Sequence, residues 1–284
     1  MSLAAGVSGS GVGDGSPVPE PAFATEPPDS AETFVVPNPP AGLLTMRGIA
    51  RSMFDRLAPA PSADDYIRLN GGLPAAVPGD VKRLDESGGR VRLTFVSEPG
   101  LTIPAVYWPA EGAARALAVL VTESGKGAAA EEFGVDKLRR AGIACLAIDP
   151  RGIGELKALE LRFTTYLGQA PAFGMGWDIV RAAAALGGEI SKIAVIGRGP
   201  AAGQAALNAA LIDRRIGFAA GLATLDAWTD AFKDDVPLLA IQPRANYAPA
   251  LAGLRGLVQA EKFWSFGSAP EPDWTAALIR WAGK

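Results

Sequence analysis

The sequence predicts an α/β protein built on a mostly parallel sheet of about eight strands with helices on both faces. Three observations predict it. The runs ARALAVLVT (Ala114 to Thr122) and IACLAI (Ile143 to Ile148) lack polar residues at alternate positions, as expected of strands covered on both sides. Between such runs lie segments with apolar residues at helical spacing, and strands alternating with helices form parallel sheets through right-handed crossovers. Ahead of them, Arg90 to Ser97 and Thr102 to Trp108 alternate around Glu98-Pro99-Gly100, which reads as an antiparallel hairpin.

Met1 to Pro40 is rich in Gly, Ser, Pro and Ala without an apolar period, so residues 1–40 are expected to form a disordered or loosely attached tail. Residues 41–89 read as a helical extension, with Leu43, Leu44, Met46, Ile49, Met53, Phe54 and Leu57 at helical spacing and a loop from Leu73 to Asp80. The domain proper spans 90–284. After the strand ending at Thr122 come a glycine-bearing loop, Glu123 to Gly127, and a helix over Ala128 to Ala141 that Gly142 closes. The strand Ile143 to Ile148 leads into the turn Asp149-Pro150-Arg151-Gly152-Ile153-Gly154-Glu155. An excursion from Leu156 to Gly174 precedes a helix over Trp177 to Leu186. Further strands are expected at Ile193 to Arg198, Phe218 to Leu225, Pro237 to Gln242 and Glu261 to Phe266, with a closing helix over Trp274 to Ala282.

With 284 residues, 49% hydrophobic and 20% charged, the chain can bury one large core. A net charge of −3 without any basic cluster argues against nucleic acid or an anionic membrane surface as partner. No apolar run approaches the roughly 20 residues that span a bilayer. Residues 1–20 carry neither a charged n-region nor an apolar h-region, so no intact secretory signal is expected, and the compartment stays open. The lone Cys145 excludes an internal disulfide and sits mid-strand, where cysteine acts as a small hydrophobe. No cofactor is expected. No metal is either: Asp226, Asp230, Asp234 and Asp235 do not follow calcium-loop spacing and read as a solvated face. The count of zero histidines removes the side chain that titrates nearest neutrality, so a Ser-His-Asp triad cannot be assembled from this chain.

The stretch Ile193 to Gly203 (IAVIGRGPAAG) reads as a strand, a sharp elbow and a helix. An elbow of the form G-x-S-x-G carries a nucleophile between small residues, because the turn forces backbones together. Here Gly197 and Ala201 keep the small flanks, Arg198 is the intervening residue, and Gly199 stands at the nucleophile position. Pro200 follows, and it lacks the N–H that would form half of an oxyanion hole. A dinucleotide fingerprint over Gly197, Gly199 and Gly203 is the rival reading, opposed by the strand's being fifth rather than first.

On this elbow, the early strand pair, the Asp149-x-Arg151-Gly152-x-Gly154-Glu155 turn and Trp177-Asp178, the chain from about Val91 onward resembles the α/β-hydrolases. Within them it is similar to the acetyl xylan esterase and dienelactone-hydrolase-like branch. The resemblance implies a serine ester hydrolase whose triad is degenerate. The family's serine falls on Gly199. Its acid would follow the seventh strand, where Gln242 to Asn246 offers no carboxylate, with Asp226 as the less usual placement. Its histidine belongs in Gly267 to Asp273, which has none. Its oxyanion loop corresponds to Thr122 to Gly127, where Gly125 and Gly127 persist and Glu123 would oppose a developing negative charge. The expected function is a catalytically degenerate, carbohydrate-esterase-like binding or partner subunit, holding a protein partner, a second copy, or a small ester or carbohydrate. The alternative is an active acetyl esterase using Ser124 with Lys126 and Asp226, or one completed by a histidine from another chain.

Overall fold

In the computed structural model, which describes residues 62–75, 80–158, 170–186, 188, 190–225, 255–266 and 270–284, one sheet carries eight strands. They are β1 (Lys82–Ser87), β2 (Arg90–Glu98), β3 (Leu101–Trp108), β4 (Ala116–Thr122), β5 (Ile143–Ile148), β6 (Ile193–Arg198), β7 (Ile216–Thr224) and β8 (Glu261–Phe266). Their order is β1-β2-β3-β5-β4-β6-β7-β8. The pairs β1 with β2, β2 with β3 and β3 with β5 are antiparallel, and the remaining pairs are parallel. Every residue of β4 and β5 is buried, because both faces are covered. Helices α1 (Ala63–Leu69), α4 (Pro171–Leu186) and α5 (Pro200–Ile212) contribute to the core on one face. Helices α2 (Ala129–Glu132), α3 (Val135–Arg140) and α6 (Trp274–Gly283) contribute to the other.

Several elements depart from the periodicity. The sheet begins at β1 rather than at Arg90, with a strand whose sequence KRLDES is almost wholly exposed. Such a strand owes its form to pairing with β2 across the Gly88-Gly89 turn, so no burial pattern announces it. The single helix expected over Ala128 to Ala141 is two, because Gly134 takes a left-handed φ of +62° between them, a conformation that breaks a helix and that glycine adopts freely. Helix α4 starts at Pro171, six residues before Trp177, with proline at its first position, where no N–H is needed. β8 pairs directly with β7. The expected helix over Ala41 to Leu57 and the expected strand Pro237 to Gln242 lie outside the described residues.

A buried ionic network ties the antiparallel edge to the parallel core. Asp178 on α4 is wholly buried and accepts hydrogen bonds from Arg151 N (3.0 Å), Nε (2.9 Å) and Nη2 (2.7 Å). Ser97 at the end of β2 donates its hydroxyl to the same carboxylate at 2.5 Å, and Glu98 beside it pairs with Arg151. Burial works against the guanidinium charge, and the two carboxylates more than offset it. The turn after β5, the β2–β3 hairpin and α4 therefore share one arginine. Replacing Asp178 by alanine leaves Arg151 buried without its main partner, which costs about 3–5 kcal/mol. Urea denaturation of D178A should show that loss, with D178N intermediate because its amide oxygen can still accept.

Candidate functional site

Two loops meet at the carboxyl ends of the parallel strands. β4 pairs with β6 so that Val121 faces Gly197 and Thr122 faces Arg198, and the segments leaving both strands emerge side by side. β5 lies on the far side of β4, so the connections diverge there. This end of an open α/β sheet, where the strand order reverses, is where such folds commonly take ligands.

The elbow is built by sterics. Gly199 links β6 to α5 with φ +105° and ψ 168°, a backbone region that is strained for any side-chain-bearing residue. A Cβ on Gly197 would lie 2.0 Å from the carbonyl oxygen of Ala202, so only glycine permits strand and helix to approach so closely. Pro200 opens α5, and the first free N–H of the helix belongs to Ala201. That N–H donates to Glu123 Oε1 at 2.6 Å. A Cβ on Gly199 would stand 2.6 Å from Glu123 Cδ and 2.7 Å from its Oε1. The carboxyl group thus fills the space in which a side chain at 199 would begin. Burial raises the Glu123 carboxyl above its ordinary value, and the N–H groups of Ala201 and Ala202 pull it only part of the way back.

Arg198, the last residue of β6, lies between two carboxylates. Its Nη2 donates to Glu271 Oε2 at 3.0 Å and its Nη1 to the other oxygen of that carboxylate. It lies 3.8 Å from Glu132 Oε2 and 5.7 Å from the ring centre of Phe133. Glu132 in turn accepts from the Thr122 hydroxyl at 2.5 Å. On the other flank, Lys126 Nζ donates to Asp149 Oδ2 at 2.7 Å and to Glu155. Asp149 also accepts from the backbone N–H of Lys126 (2.6 Å) and of Glu155 (3.0 Å). Burial would lower the Lys126 ammonium, but its two carboxylate partners outweigh that and hold it above the ordinary lysine value. It is a cation at neutral pH and has no lone pair for base work.

Of the weak catalytic candidates, the described Ser124 and Lys126 engage different partners. Ser124 is exposed, and its N–H donates to Thr122 Oγ1 at 3.3 Å. Lys126 is turned to Asp149 and Glu155. Asp226 lies outside the described residues, as do Asp230, Asp234, Asp235 and Gln242 to Asn246. Gly125, at φ +83°, packs 3.2 Å from Gly154 by its would-be Cβ, and Gly127 is open to solvent. Cys145 is buried in β5 with its thiol pushed up to about 12 by burial. Among the described residues no cluster of His, Cys, Asp or Glu could hold a metal ion, and no helix is long and apolar enough to cross a membrane. Glu271, Glu132 and Asp178 escaped the sequence reading as partners. Only Asp178, beside Trp177 in the helix before the elbow strand, stood in a motif that could have flagged it.

The sheet order, the elbow after β6 and the glycine loop after β4 are those of the α/β-hydrolase fold, and this chain has that fold. No protein-family model and no curated protein sequence matches it. Among solved structures it is similar to a candidate acetyl xylan esterase from Bacteroides fragilis, at 14% identity and a TM-score of 0.59, over 84% of this chain and 78% of that one. It is also similar to the acetyl xylan esterase from Paenibacillus sp., at 14% identity and a TM-score of 0.50, over 82% of this chain and 98% of that one. Acetyl xylan esterase 1 from Thermoanaerobacterium sp. matches at 15% identity and a TM-score of 0.50, over 82% and 97% of the two chains. The likeness is one of fold.

The raised Glu123 carboxyl fixes a sign. A carboxyl whose folded pKa exceeds its unfolded one stabilises the fold most while protonated, and that contribution is lost as pH rises through the raised value. The stability of wild type relative to E123Q should therefore fall as pH is raised from about 4 through the weakly acid range. Paired thermal melts across that range measure the difference, with the other ionisable groups common to both proteins.

Proposed function

We propose that this chain is a catalytically degenerate α/β-hydrolase domain of the carbohydrate-esterase type, whose crevice binds a ligand or partner without turning it over. The observation that carries the reading is the pairing of Gly199 with Glu123. The nucleophile position has no side chain, and the space where one would begin holds a carboxyl group. Pro200 offers no N–H at the next position, and loss of one oxyanion donor by itself costs about 100- to 1000-fold in kcat. The donor that remains nearby, Ala201 N–H, is already bound to Glu123. With zero histidines in the sequence, no neutral base stands ready to activate a hydroxyl. The likeness in fold to acetyl xylan esterases supports a small ester or carbohydrate as the class of ligand, and the interaction reading extends to a protein partner or a second copy.

Incubation of the pure protein with p-nitrophenyl acetate and with a fluorophosphonate probe tests this directly. The expected result is no turnover above buffer and no labelled residue. A labelled Ser124, abolished in S124A, would sink the reading. Gly199→Ser is expected to leave the protein inactive, because the new Cβ meets the Glu123 carboxyl and no base awaits the hydroxyl; appreciable turnover by that single variant would count equally against it.

A further inference from the structure

Among the described residues β1 is the terminal strand of the sheet and pairs with β2 alone. Its outer edge therefore offers a row of ladder N–H and C=O groups to another strand. Its sequence, Lys82-Arg83-Leu84-Asp85-Glu86-Ser87, puts both bases before both acids. In a regular strand, residues three apart point to opposite faces. Here the register with β2 shifts between Arg83 and Asp85, so that Arg83 stands opposite Leu93 and Glu86 opposite Val91. Leu93 and Val91 are two apart on β2 and share a face, which brings Arg83 and Glu86 onto that face together. Asp85 is matched within the chain, accepting from Arg92 Nε at 2.7 Å. Arg83 and Glu86 are exposed and form no ion pair among the described residues. Leu84 between them is 52% exposed, the most of the large apolar side chains among the described residues, and Val81, just before the strand, is exposed as well.

We propose that β1 is a dimerisation edge on which the β1 strand of a second copy of this chain pairs antiparallel, about a two-fold axis between Leu84 and Asp85. That register sets Arg83 of each copy opposite Glu86 of the other. Opposed side chains in an antiparallel pair share a face with their Cβ atoms about 4.5–5.5 Å apart, within reach of an ion pair, and the symmetry makes two. Leu84 comes to lie beside the axis, where pairing removes it from water. Charges on an edge strand ordinarily repel a neighbouring strand. Here their order makes the strand its own complement, as a two-fold interface requires. Parallel pairing in register sets Lys82 on Lys82 and Glu86 on Glu86, so the charges select the antiparallel arrangement. β1 meeting β1 also consumes the free edge, and the assembly closes at two copies. The inference goes beyond the non-catalytic reading and does not rest on it, since four strands lie between β1 and β6 in the sheet.

The test is sedimentation velocity on the full chain over a concentration series, with wild type, R83E and E86R. Six residues give about 20 Å of ladder, a small interface, so wild type at low salt should dimerise with a dissociation constant of roughly 10–100 µM. R83E sets acid against acid at both pairs and E86R sets base against base, and each should weaken the dimer by about tenfold or more. Mixed in equal amounts, the two variants bring opposite charges together again at both pairs, so the mixture should dimerise where each alone is monomeric. Both positions are exposed, and unchanged circular dichroism checks that the variants are folded. Added salt should weaken the wild-type dimer, an arm that needs no variant. A wild type that stays monomeric up to about 1 mM overturns the proposal. A dimer that either single variant leaves intact overturns it too, because the contact then lies elsewhere, and so does a mixture that stays monomeric. Ester turnover by wild type would overturn the non-catalytic reading and leave the dimer standing, whereas a monomeric wild type overturns the dimer alone.

Discussion

The contact between the Glu123 carboxylate and the first turn of α5 fixes how the loop after β4 meets the elbow. A helix that begins with proline has one orphan N–H fewer to satisfy, and the next, on Ala201, is taken by Glu123. A charge at such a helix start gains about 0.3–1 kcal/mol. Burial opposes it, and the net shift of the Glu123 carboxyl is upward. The residue is thus held by geometry against its own solvation. Its place requires Gly199 to lack a Cβ, and the positive φ at Gly199 requires the same. Two independent constraints converge on one atom's absence.

Around that contact the charged residues divide into two kinds. Arg151 and Asp178 are deep, multiply hydrogen bonded and shared among three segments, and they act as scaffold. Arg198 and Lys126 lie near the carboxyl ends of the parallel strands, each clamped by two carboxylates. Two cations against four carboxylates leave this set net negative, and pairs of this kind individually contribute no more than about 1 kcal/mol where solvent reaches them. Their larger effect is to fix the loops. Arg198 joins the elbow to α2 and to the segment before α6, so residues far apart in the sequence are held together there.

What the sequence revealed and what it hid have physical reasons. The buried strands β4 and β5 were legible because strands covered on both faces leave no polar positions. The elbow was legible because Gly197 answers a backbone contact that no other residue could survive. β1 was hidden because an exposed strand at a sheet edge has no burial period, and the break at Gly134 because an apolar spacing can continue across a left-handed residue. Within the crevice, the glycine at the nucleophile position could be read directly. Its partner could not, since Glu123 lies 78 positions from Ala201 and meets it only through the pairing of β4 with β6. The same holds for Arg198 and Glu271, which are 73 positions apart. Lys126 beside Ser124 suggested a dyad by adjacency. The Asp149 turn brings a stronger attraction for the ammonium from the neighbouring strand end.

Cys145 stands in the middle of β5, opposite Trp108 on one side and Ala118 on the other, and it is the only cysteine in the sequence. Its thiol is sealed from water and resists ionisation, so alkylating reagents can reach it only when the central strands part. The domain therefore carries its own clock for global opening. The rate at which that single thiol is modified reports the opening free energy of the core without any introduced label.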